Sequence, residues 1–363
     1  MKIAFTRNER PGKLPPSKEL GWGSVFTDHM FLMDYSDAEG WHGPRIVPFG
    51  PIVLSPAASV LHYGAEVFEG LKAYRRADGV VQLFRPMENA LRLNLSCERI
   101  GLPRLNPEDT VEAIREIVRT DQSWVPSDPG TSLYIRPFVF ATDPALALHG
   151  GQPPPGIHRA TFAIILSPVG SYFPDGLKPV RIMIETEDVR AVRGGTGYTK
   201  CGGNYAASNR AGDRAMEKGY AQVLWLDGVE RKYVEEVGAM NVMFKIGERV
   251  VTPSLADGSI LPGITRKSCI EMMRSWGMAV EERKVGVDEL TRAAEDGTLE
   301  EAWGTGTAAV ISPIGELSYE GKSYVVNGAE IGPTSRRLYD ELTGLQWGSR
   351  PDPFGWTVPI PKS

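Results

Sequence analysis

Residues 194–206 of the chain read GGTGYTKCGGNYA, a single lysine between two clusters of glycine. Glycine adopts backbone conformations that other residues avoid, and it leaves open space beside the chain. Lys200 therefore has room around its amine. A lysine amine is also the side chain that forms a Schiff base with an aldehyde. The stretch indicates a loop built around one reactive amine.

The same loop has two competing interpretations. Gly195 to Lys200 is superficially like a Walker A phosphate loop, but that motif needs Ser or Thr directly after the lysine. Here Thr199 precedes the lysine and Cys201 follows it, so the magnesium-binding hydroxyl is misplaced. A nucleotide-binding protein that uses residues 194–203 stays an alternative. A flexible surface loop with an incidental lysine is the other, although the GGNYA that follows is hard to explain as solvated chain.

Composition narrows the class of protein. The 363 residues are 42% hydrophobic and 23% charged, with a net charge of −5. This length exceeds one usual hydrophobic core, so two domains are expected. No global positive field attracts nucleic acid or anionic membrane. The 3 cysteines and 5 histidines show no metal-ligand spacing, and no apolar run approaches the roughly 20 residues of a membrane span. We expect a cytoplasmic protein without metal, nucleic-acid or membrane partners.

Apolar periodicity and turn residues predict a mixed α+β chain. Strands are predicted at 26–35, 45–54, 80–86, 131–142 and 160–168. One helix is predicted from Pro86 to Gly101, and a second begins at Asn106 as N-cap. Further on we predict a helix over 205–219, a hairpin that turns at Asp227-Gly228, and a helix over 263–277. The predicted division is an arm (1–20), a smaller α/β domain (21–170), a linker (171–180) and a larger domain with the lysine (181–363).

Eight short segments between residues 20 and 315 are close to the motifs of one family. They are LHYGAEVFEGLKAYR (61–75), LFRP (83–86) with Arg92 close behind, LYIRP (133–137), VGSYFP (169–174), KCGGNYA (200–206), EEVGAMN (235–241), LPGITR (261–266) and GTGTAAVISPI (304–314). Together they resemble the branched-chain aminotransferases, which are fold-type IV pyridoxal phosphate enzymes. The resemblance implies a two-domain α+β fold with the cofactor between the domains. It also implies a homodimer with shared active sites.

The resemblance assigns roles around pyridoxal 5′-phosphate. Lys200 would form the Schiff base and then shuttle a proton. Glu236 would pair with the pyridine nitrogen and Tyr205 with the phenolate oxygen. Glu235 competes with Glu236, but neighbours on a strand point to opposite faces, so we favour Glu236. The phosphate group would be bound by Arg92, Ile264, Thr265 and Thr307.

Arg85 is the competitor of Arg92 for the phosphate group. It lies beside Pro86 near a predicted helix start, and we expect an exposed ion pair for it. Thr307 and the amides that follow it have a second role, since the resemblance assigns the substrate α-carboxylate to the backbone around Thr307, Ala308 and Ala309.

Substrate selection is assigned to an apolar and aromatic pocket. Its side chains would be Trp22, Tyr63, Phe68, Tyr134, Tyr172 and Met240. Arg136, two residues after Tyr134 and on the same strand face, is placed to receive the γ-carboxylate of glutamate. Tyr63 and the loop at Leu146 and Leu148 are candidates for crossing into a partner subunit.

The expected activity is transfer of the amino group of L-Leu, L-Ile or L-Val to 2-oxoglutarate by a ping-pong mechanism. A D-amino-acid transaminase or an aminodeoxychorismate lyase of the same fold stays an alternative, although those families lack the 61–74 segment. A non-catalytic protein that keeps the fold is a further alternative. Some animal relatives carry a Cys-x-x-Cys switch where this chain has Ala309 and Ser312, so we expect no redox control of that kind.

Overall fold

The computed structural model describes residues 1–147, 155–173 and 176–361. The chain forms two compact units. The first consists of Met1–Tyr172, Thr199–Gly202 and Gly344–Ser363, and the second of Phe173–Tyr198 and Gly203–Thr343. The sequence-based division places the lysine loop and the C-terminal segment in the second domain. In the structure the four residues Thr199–Gly202 of that loop and the C-terminal segment Gly344–Ser363 belong to the first unit, while the rest of the loop belongs to the second.

The secondary structure alternates short helices with many strands. The strands are β1 Ala4–Phe5, β2 His29–Ser36, β3 Gly40–Pro48, β4 Glu66–Phe68, β5 Leu71–Arg75, β6 Val81–Phe84, β7 Ser132–Ala141, β8 Arg159–Val169, β9 Val180–Ile184, β10 Gln222–Leu226, β11 Val234–Val237, β12 Met240–Ile246, β13 Arg249–Pro253, β14 Ala279–Arg283, β15 Leu299–Gly306, β16 Val310–Tyr319, β17 Lys322–Val325 and β18 Thr357–Ile360. The helices are α1 Ser59–Tyr63, α2 Pro86–Ile100, α3 Pro107–Thr120, α4 Gly202–Ala206, α5 Asn209–Glu217, α6 Ile264–Ser275, α7 Val287–Glu295 and α8 Pro333–Gln346. The mixed α+β class predicted from the sequence is confirmed.

The first unit is built on a nine-stranded, mostly antiparallel sheet. Its order is β1-β3-β2-β8-β7-β5-β6-β18, with β4 paired to β7. Alternation along β7 buries Leu133 and Ile135, which join the core with the apolar side chains of α2 and α3. Tyr134 and Arg136 occupy the alternate positions of β7, so they lie on the opposite face of the sheet. This face carries the aromatic and cationic side chains described below.

The ends of α2 and α3 follow their sequence signals. Pro86 occupies the first position of α2, and Gly101 ends that helix in a left-handed conformation with φ of 78°. The side chain of Asn106 accepts a hydrogen bond from the backbone N–H of Asp109 at 2.9 Å, which caps α3. Both predicted helices are confirmed.

The second unit contains a closed ring of strands. Its sheet runs β11-β10-β9-β16-β15-β12-β13-β14, and β11 also pairs with β12, so six strands return to their starting point. Closure leaves no free strand edge within that ring. Apolar side chains of these strands form one core cluster, which includes Leu224, Val237, Val242, Phe244 and Ala302. The cluster fixes the strands that carry Glu236 and Thr305.

Three of the element predictions meet different outcomes. The hairpin turn at Asp227 is confirmed, and the Asp227 carboxylate accepts four backbone N–H groups between residues 229 and 233. The strand predicted over 45–54 is wrong beyond Pro48, since Pro51 lacks a backbone donor. The helix predicted over 205–219 is wrong as one element. It is divided into α4 and α5 by a turn in which Ser208 donates to the carbonyl of Tyr205.

Among the residues that the structure describes, no helix combines the length and the apolar character that crossing a membrane requires.

Candidate active site

The backbone of Lys200 is held from two sides within the first unit. Its N–H donates to the hydroxyl of Ser96 at 2.9 Å, and its carbonyl accepts from the N–H of Phe68 at 2.9 Å. An isolated antiparallel bridge joins Val67 to Cys201. Residues 200–202 therefore run as a short added strand against β4. The lysine loop is anchored at its backbone, which fixes where the side chain begins.

Gly202 completes this anchor. Its N–H donates to Glu66 Oε1 at 2.7 Å, and a Cβ at Gly202 would overlap that oxygen, so a larger residue there would displace the Glu66 carboxylate. A phosphate loop uses open backbone N–H groups to cradle an anion. The N–H groups of Lys200 and Gly202 are instead bonded to Ser96 and Glu66, which argues against a nucleotide site in this loop.

The amine of Lys200 is buried beside the ring of Phe68, with Nζ 5.0 Å from the ring centroid. Burial and then the nearby Arg92 charge lower the pKa of Lys200 from 10.5 to about 8, although Glu69 opposes the shift. At pH 7 about a tenth of such an amine is neutral, roughly 300 times the fraction at the ordinary pKa. A neutral amine is a nucleophile and a proton acceptor, which the ammonium form is not.

Arg92 and Glu69 form a buried, two-point ion pair. Arg92 Nε donates to Glu69 Oε1 at 2.7 Å, and Nη2 donates to Oε2 at 2.9 Å. Asn89 Nδ2 donates to the same carboxylate at 2.7 Å. Burial raises the pKa of Glu69, but Arg92, Lys200 and Asn89 together bring it below its ordinary value. The positive charge of Arg92 near Lys200 is thus partly balanced by the negative charge of Glu69.

Arg85 differs from its prediction in one respect. It pairs with Glu88 at 3.2 Å, as expected, but its side chain is buried rather than exposed. Its guanidinium lies 4.7 Å from the ring centroid of Trp356, which covers it. Trp356 directly precedes the C-terminal strand β18, so the cover comes from a part of the chain that the sequence near Arg85 does not indicate.

One face of the first unit gathers several of the predicted pocket residues. Arg136 Nη2 donates to the hydroxyl of Tyr134 at 3.2 Å, and its guanidinium lies 4.6 Å from the centroid of Phe68. Trp22 lies 5.6 Å from Tyr134 and 5.6 Å from Tyr172, measured between ring centroids. Five of the predicted residues therefore form one cluster around Tyr134.

Gly70 provides the room for this cluster, since a Cβ at that position would overlap the Tyr134 hydroxyl. Tyr63 is not part of it. Tyr63 ends α1, is 43% exposed, and packs on His62 with 6.2 Å between the ring centroids. Leu146 is exposed, and Leu148 lies outside the described residues.

Sequence reasoning missed Lys72 on the same face. It lies opposite Tyr134 in the pairing of β5 with β7, is 5% exposed, and its Nζ lies 5.3 Å from the ring centroid of Trp22. Burial lowers the pKa of Lys72 from 10.5 to about 7. The available signal was a lone lysine between Leu71 and Ala73, inside a strand that is buried on both faces.

Glu235 and Glu236 point to opposite sides of β11, as predicted. Glu236 Oε1 accepts the N–H of Leu261 at 2.8 Å and lies 3.4 Å from Arg190 Nη2. Glu235 instead accepts the hydroxyl of Ser259, and burial raises the pKa of Glu235. Glu236 is therefore the carboxylate that forms an ion pair with Arg190, whereas Glu235 is bonded to a neutral hydroxyl.

Arg190 is a second residue that sequence reasoning missed. Its Nη2 also donates to the carbonyls of Gly197, at 3.1 Å, and Ser259. Arg190 thereby ties the glycine-rich segment to the strand of Glu236 within the second unit. The local sequence does not single it out, because Arg193 lies nearer to the glycine cluster.

The start of α6 offers backbone donors. Gly263 is its N-cap and has no side chain with which to cap the helix, and Ile264 and Thr265 are buried in the first turn. Asn241 Nδ2 donates to the carbonyl of Leu261 at 2.9 Å, and a Cβ at Gly263 would overlap the Asn241 side chain. The first amides of a helix and its dipole favour an anion at this end.

The remaining predicted residues lie in or near two turns of the second unit. Thr307, Ala308 and Ala309 form the connection between β15 and β16, which pair up to Gly306 and Val310. Val310 has a positive φ of 61°, uncommon for a β-branched residue, so this turn is strained. Met240 packs against the glycines of β15, where a Cβ at Gly304 would lie 2.8 Å from its Cε. Tyr205 lies in α4.

A family model described as amino-transferase class IV matches residues 66–317. The chain belongs to the class IV aminotransferases. The match covers the lysine loop, Arg92, Glu236 and the start of α6, so the family assignment extends over both units. It confirms the family resemblance stated from the motifs.

Class IV relatives match nearly the whole chain. Branched-chain-amino-acid aminotransferase 2 of Bacillus subtilis (strain 168) is 50% identical over 360 residues, covering 99% of this chain and 97% of that protein. Branched-chain-amino-acid transaminase 1 of the same organism is 53% identical over 347 residues, covering 95% and 96%. These identities are far above those that show only a shared fold.

Solved class IV structures agree. The Escherichia coli branched-chain amino acid aminotransferase has a TM-score of 0.75 at 25% identity, covering 92% of this chain and 99% of that chain. The branched-chain aminotransferase of the thermophilic archaeon Thermoproteus uzoniensis, solved with norvaline, has a TM-score of 0.74 at 26% identity, covering 92% and 100%. These neighbours confirm the fold-type IV architecture.

Proposed function

We propose that this class IV aminotransferase is a branched-chain-amino-acid transaminase that uses pyridoxal 5′-phosphate and moves the amino group of L-Leu, L-Ile or L-Val to 2-oxoglutarate. The buried amine of Lys200, held at its backbone and with its pKa lowered to about 8, carries the proposal. The names of the relatives that are 50% and 53% identical support the substrate class.

The residues present fit the cofactor. An aldehyde needs an amine that is partly neutral, which Lys200 supplies. A phosphate dianion suits a guanidinium such as that of Arg92, and the amides at the start of α6. A ring nitrogen that must stay protonated suits a carboxylate such as Glu236, whose Oε1 lies 3.4 Å from Arg190 Nη2. We propose that Tyr205 and Thr307 add the phenol and hydroxyl donors to the same group.

When bound, the cofactor supplies an electron sink for the pair released at the substrate α-carbon. The chain supplies the proton transfer. The amine of Lys200 would take a proton from the substrate α-carbon and give one to the acceptor carbon. Its lowered pKa makes both directions accessible near neutral pH. The backbone bonds to Ser96 and Phe68 fix the point from which the lysine side chain extends.

Substrate selection is proposed to rest on the cluster around Tyr134. Aromatic and aliphatic surface from Trp22, Phe68 and Tyr172, with Met240, would exclude water from a branched side chain and favour it by about 25 cal/mol per Å² buried. Arg136 would pair with the second carboxylate that only glutamate and 2-oxoglutarate bring. The amides of Thr307, Ala308 and Ala309 would bind the α-carboxylate.

We further propose a homodimer in which Tyr63 contributes to the partner's site. Exposed apolar side chains along the same segment support this, since Val53 and Leu61 are both exposed. Leu146 would join them. The cytoplasmic location stays a prediction from composition.

A half-reaction survey tests the proposal. The purified protein is mixed with single L- and D-amino acids, and the absorbance band near roughly 410–430 nm is followed. Loss of the band with L-Leu, L-Ile, L-Val and L-Glu is expected, and Lys200→Ala is the control that lacks the amine. Conversion by D-amino acids alone would support a D-amino-acid transaminase. A protein that shows no such absorbance band after incubation with pyridoxal phosphate would contradict the enzyme proposal.

A further inference from the structure

Glu69 is a fully enclosed carboxylate with no assigned role in the proposed reaction. It lies between β4 and β5 and is 1% exposed. Its two oxygens receive four donors: Arg92 Nε and Nη2, Asn89 Nδ2, and the N–H of Gly70 at 3.1 Å. Burying a carboxylate is costly unless it is paired and hydrogen-bonded. Glu69 meets that requirement in full, so its orientation is fixed.

The same structural elements hold Glu69 and Lys200. Glu69 follows Phe68, whose N–H bonds the carbonyl of Lys200, and its own N–H donates to the carbonyl of Pro137 at 2.7 Å. On α2, Asn89 and Arg92 bind the carboxylate, and Ser96, one turn further, binds the N–H of Lys200. Positions three and four apart share one face of a helix. One face of α2 therefore contacts both the Glu69 carboxylate and the backbone of Lys200, and it carries the Arg92 guanidinium.

The charges of the three side chains oppose one another. Arg92 disfavours the ammonium form of Lys200, and Glu69 favours it. Glu69 also holds two of the guanidinium nitrogens of Arg92 in one plane, which fixes the direction in which the rest of the guanidinium points. An arginine held by a two-point pair loses little orientation freedom when it binds an anion.

We propose that Glu69 is a positioning residue of the transamination site: it orients Arg92 toward the phosphate group of the cofactor, and its negative charge balances Arg92 beside the amine of Lys200. The inference rests on the proposed function, because it assumes that Arg92 binds the cofactor phosphate. A carboxylate with a structural role alone would affect stability without affecting phosphate recognition or the acidity of Lys200.

Two measurements on cofactor-free protein test the proposal. The first is the ratio of the dissociation constants for pyridoxal, which lacks the phosphate, and pyridoxal 5′-phosphate. The second is the pH dependence of acetylation of Lys200, read by mass spectrometry of its peptide. Glu69→Gln is expected to reduce the preference for the phosphorylated compound about 10-fold or more. It is also expected to shift the acetylation midpoint to lower pH, since a counter-charge is lost.

Glu88→Gln is the matched control, because Glu88 pairs with Arg85 at the start of the same helix. It is expected to leave both quantities unchanged. Glu69→Asp keeps the charge but shortens the side chain, so it should lower the phosphate preference and leave the midpoint of Lys200 near its original pH. If Glu69→Gln fails to fold, Glu69→Asp decides the proposal by the same ratio.

The outcomes separate two failures. If the wild-type protein prefers the phosphorylated compound and a folded Glu69→Gln or Glu69→Asp variant shows the same preference, the positioning role of Glu69 is overturned. A wild-type protein that binds pyridoxal and pyridoxal 5′-phosphate equally would instead contradict the proposed role of Arg92, and the proposed function would need revision.

Discussion

Replacement of Arg136 by alanine should separate the two substrates of the transaminase. Only glutamate and 2-oxoglutarate carry a second carboxylate, and a charge-assisted pair between a guanidinium and a carboxylate contributes about 1.5–3 kcal/mol. Losing that pair corresponds to a fall in kcat/KM of roughly 10- to 150-fold for glutamate. Leucine brings no such group, so this contribution is absent from its reaction.

Packing around Arg136 adds a smaller loss that both substrates share. The guanidinium lies 4.6 Å from the centroid of Phe68 and 5.3 Å from that of Tyr134, and it donates to the Tyr134 hydroxyl. Each cation–π contact contributes about 0.5–1 kcal/mol at such sites. The two contacts together contribute about 1–2 kcal/mol, so we expect leucine to lose at most about 5- to 30-fold through disturbance of the aromatic cluster. Because glutamate bears the same packing loss in addition to its own, the ratio of the two kcat/KM values should change by roughly 10-fold or more.

The assay measures kcat/KM for glutamate and for leucine in separate half-reactions with the same protein preparation. Tyr134→Phe is the matched control, because it removes the hydroxyl that accepts from Arg136 and leaves both the charge and the ring in place. It should affect the two substrates equally. Equal losses for Arg136→Ala would refute the reasoning and assign this arginine to the packing of the cluster alone.

Three further predictions concern the lysine loop. Lys200→Ala should abolish transamination and leave non-covalent cofactor binding measurable by fluorescence; retained turnover would mean that another lysine forms the Schiff base. The rate of pyridoxal phosphate addition to cofactor-free protein should rise with pH and level off above about 8, because the lowered pKa of Lys200 makes the amine neutral above that value. A rate that keeps rising toward pH 10.5, the ordinary pKa of a lysine, would contradict the burial of the amine. Gly202→Ala should lower the stability of the protein by about 1–3 kcal/mol through overlap with Glu66, measured by thermal unfolding. Gly203→Ala should lower it less, because a Cβ at Gly203 meets open space. Similar losses of stability in both variants would contradict the close contact between Gly202 and Glu66.

Local patterns predicted the elements that depend on nearby residues. Period-two alternation placed Tyr134 with Arg136 and separated Glu235 from Glu236, since the direction of a side chain in a strand follows from its position alone. Asn106 and Pro86 identified two helix starts for the same reason, because capping uses residues within one turn. These predictions required no knowledge of the tertiary fold.

The features that were missed depend on distant pairing. Glu69 and Arg92 are 23 residues apart, and Arg190 and Ser259 are 69 apart. Lys72 is buried beside Trp22 and the strand of Tyr134, both of which are distant in sequence. The single helix predicted over 205–219 failed at Ser208, where a side-chain bond to the backbone competes with the helix. The roles assigned to the cofactor and substrate residues stay predictions.

The added strand at residues 200–202 has a consequence for what makes the lysine reactive. Lys200 bonds to a residue 104 positions earlier, and Gly202 to one 136 positions earlier. Closing loops of that length is entropically costly and slow compared with forming a helix or a hairpin. The anchored position of the lysine therefore depends on β4 and α2, which supply its backbone partners. The surroundings that make this amine reactive come from residues about a hundred positions earlier in the chain, so its reactivity is a property of the assembled fold and not of the local sequence.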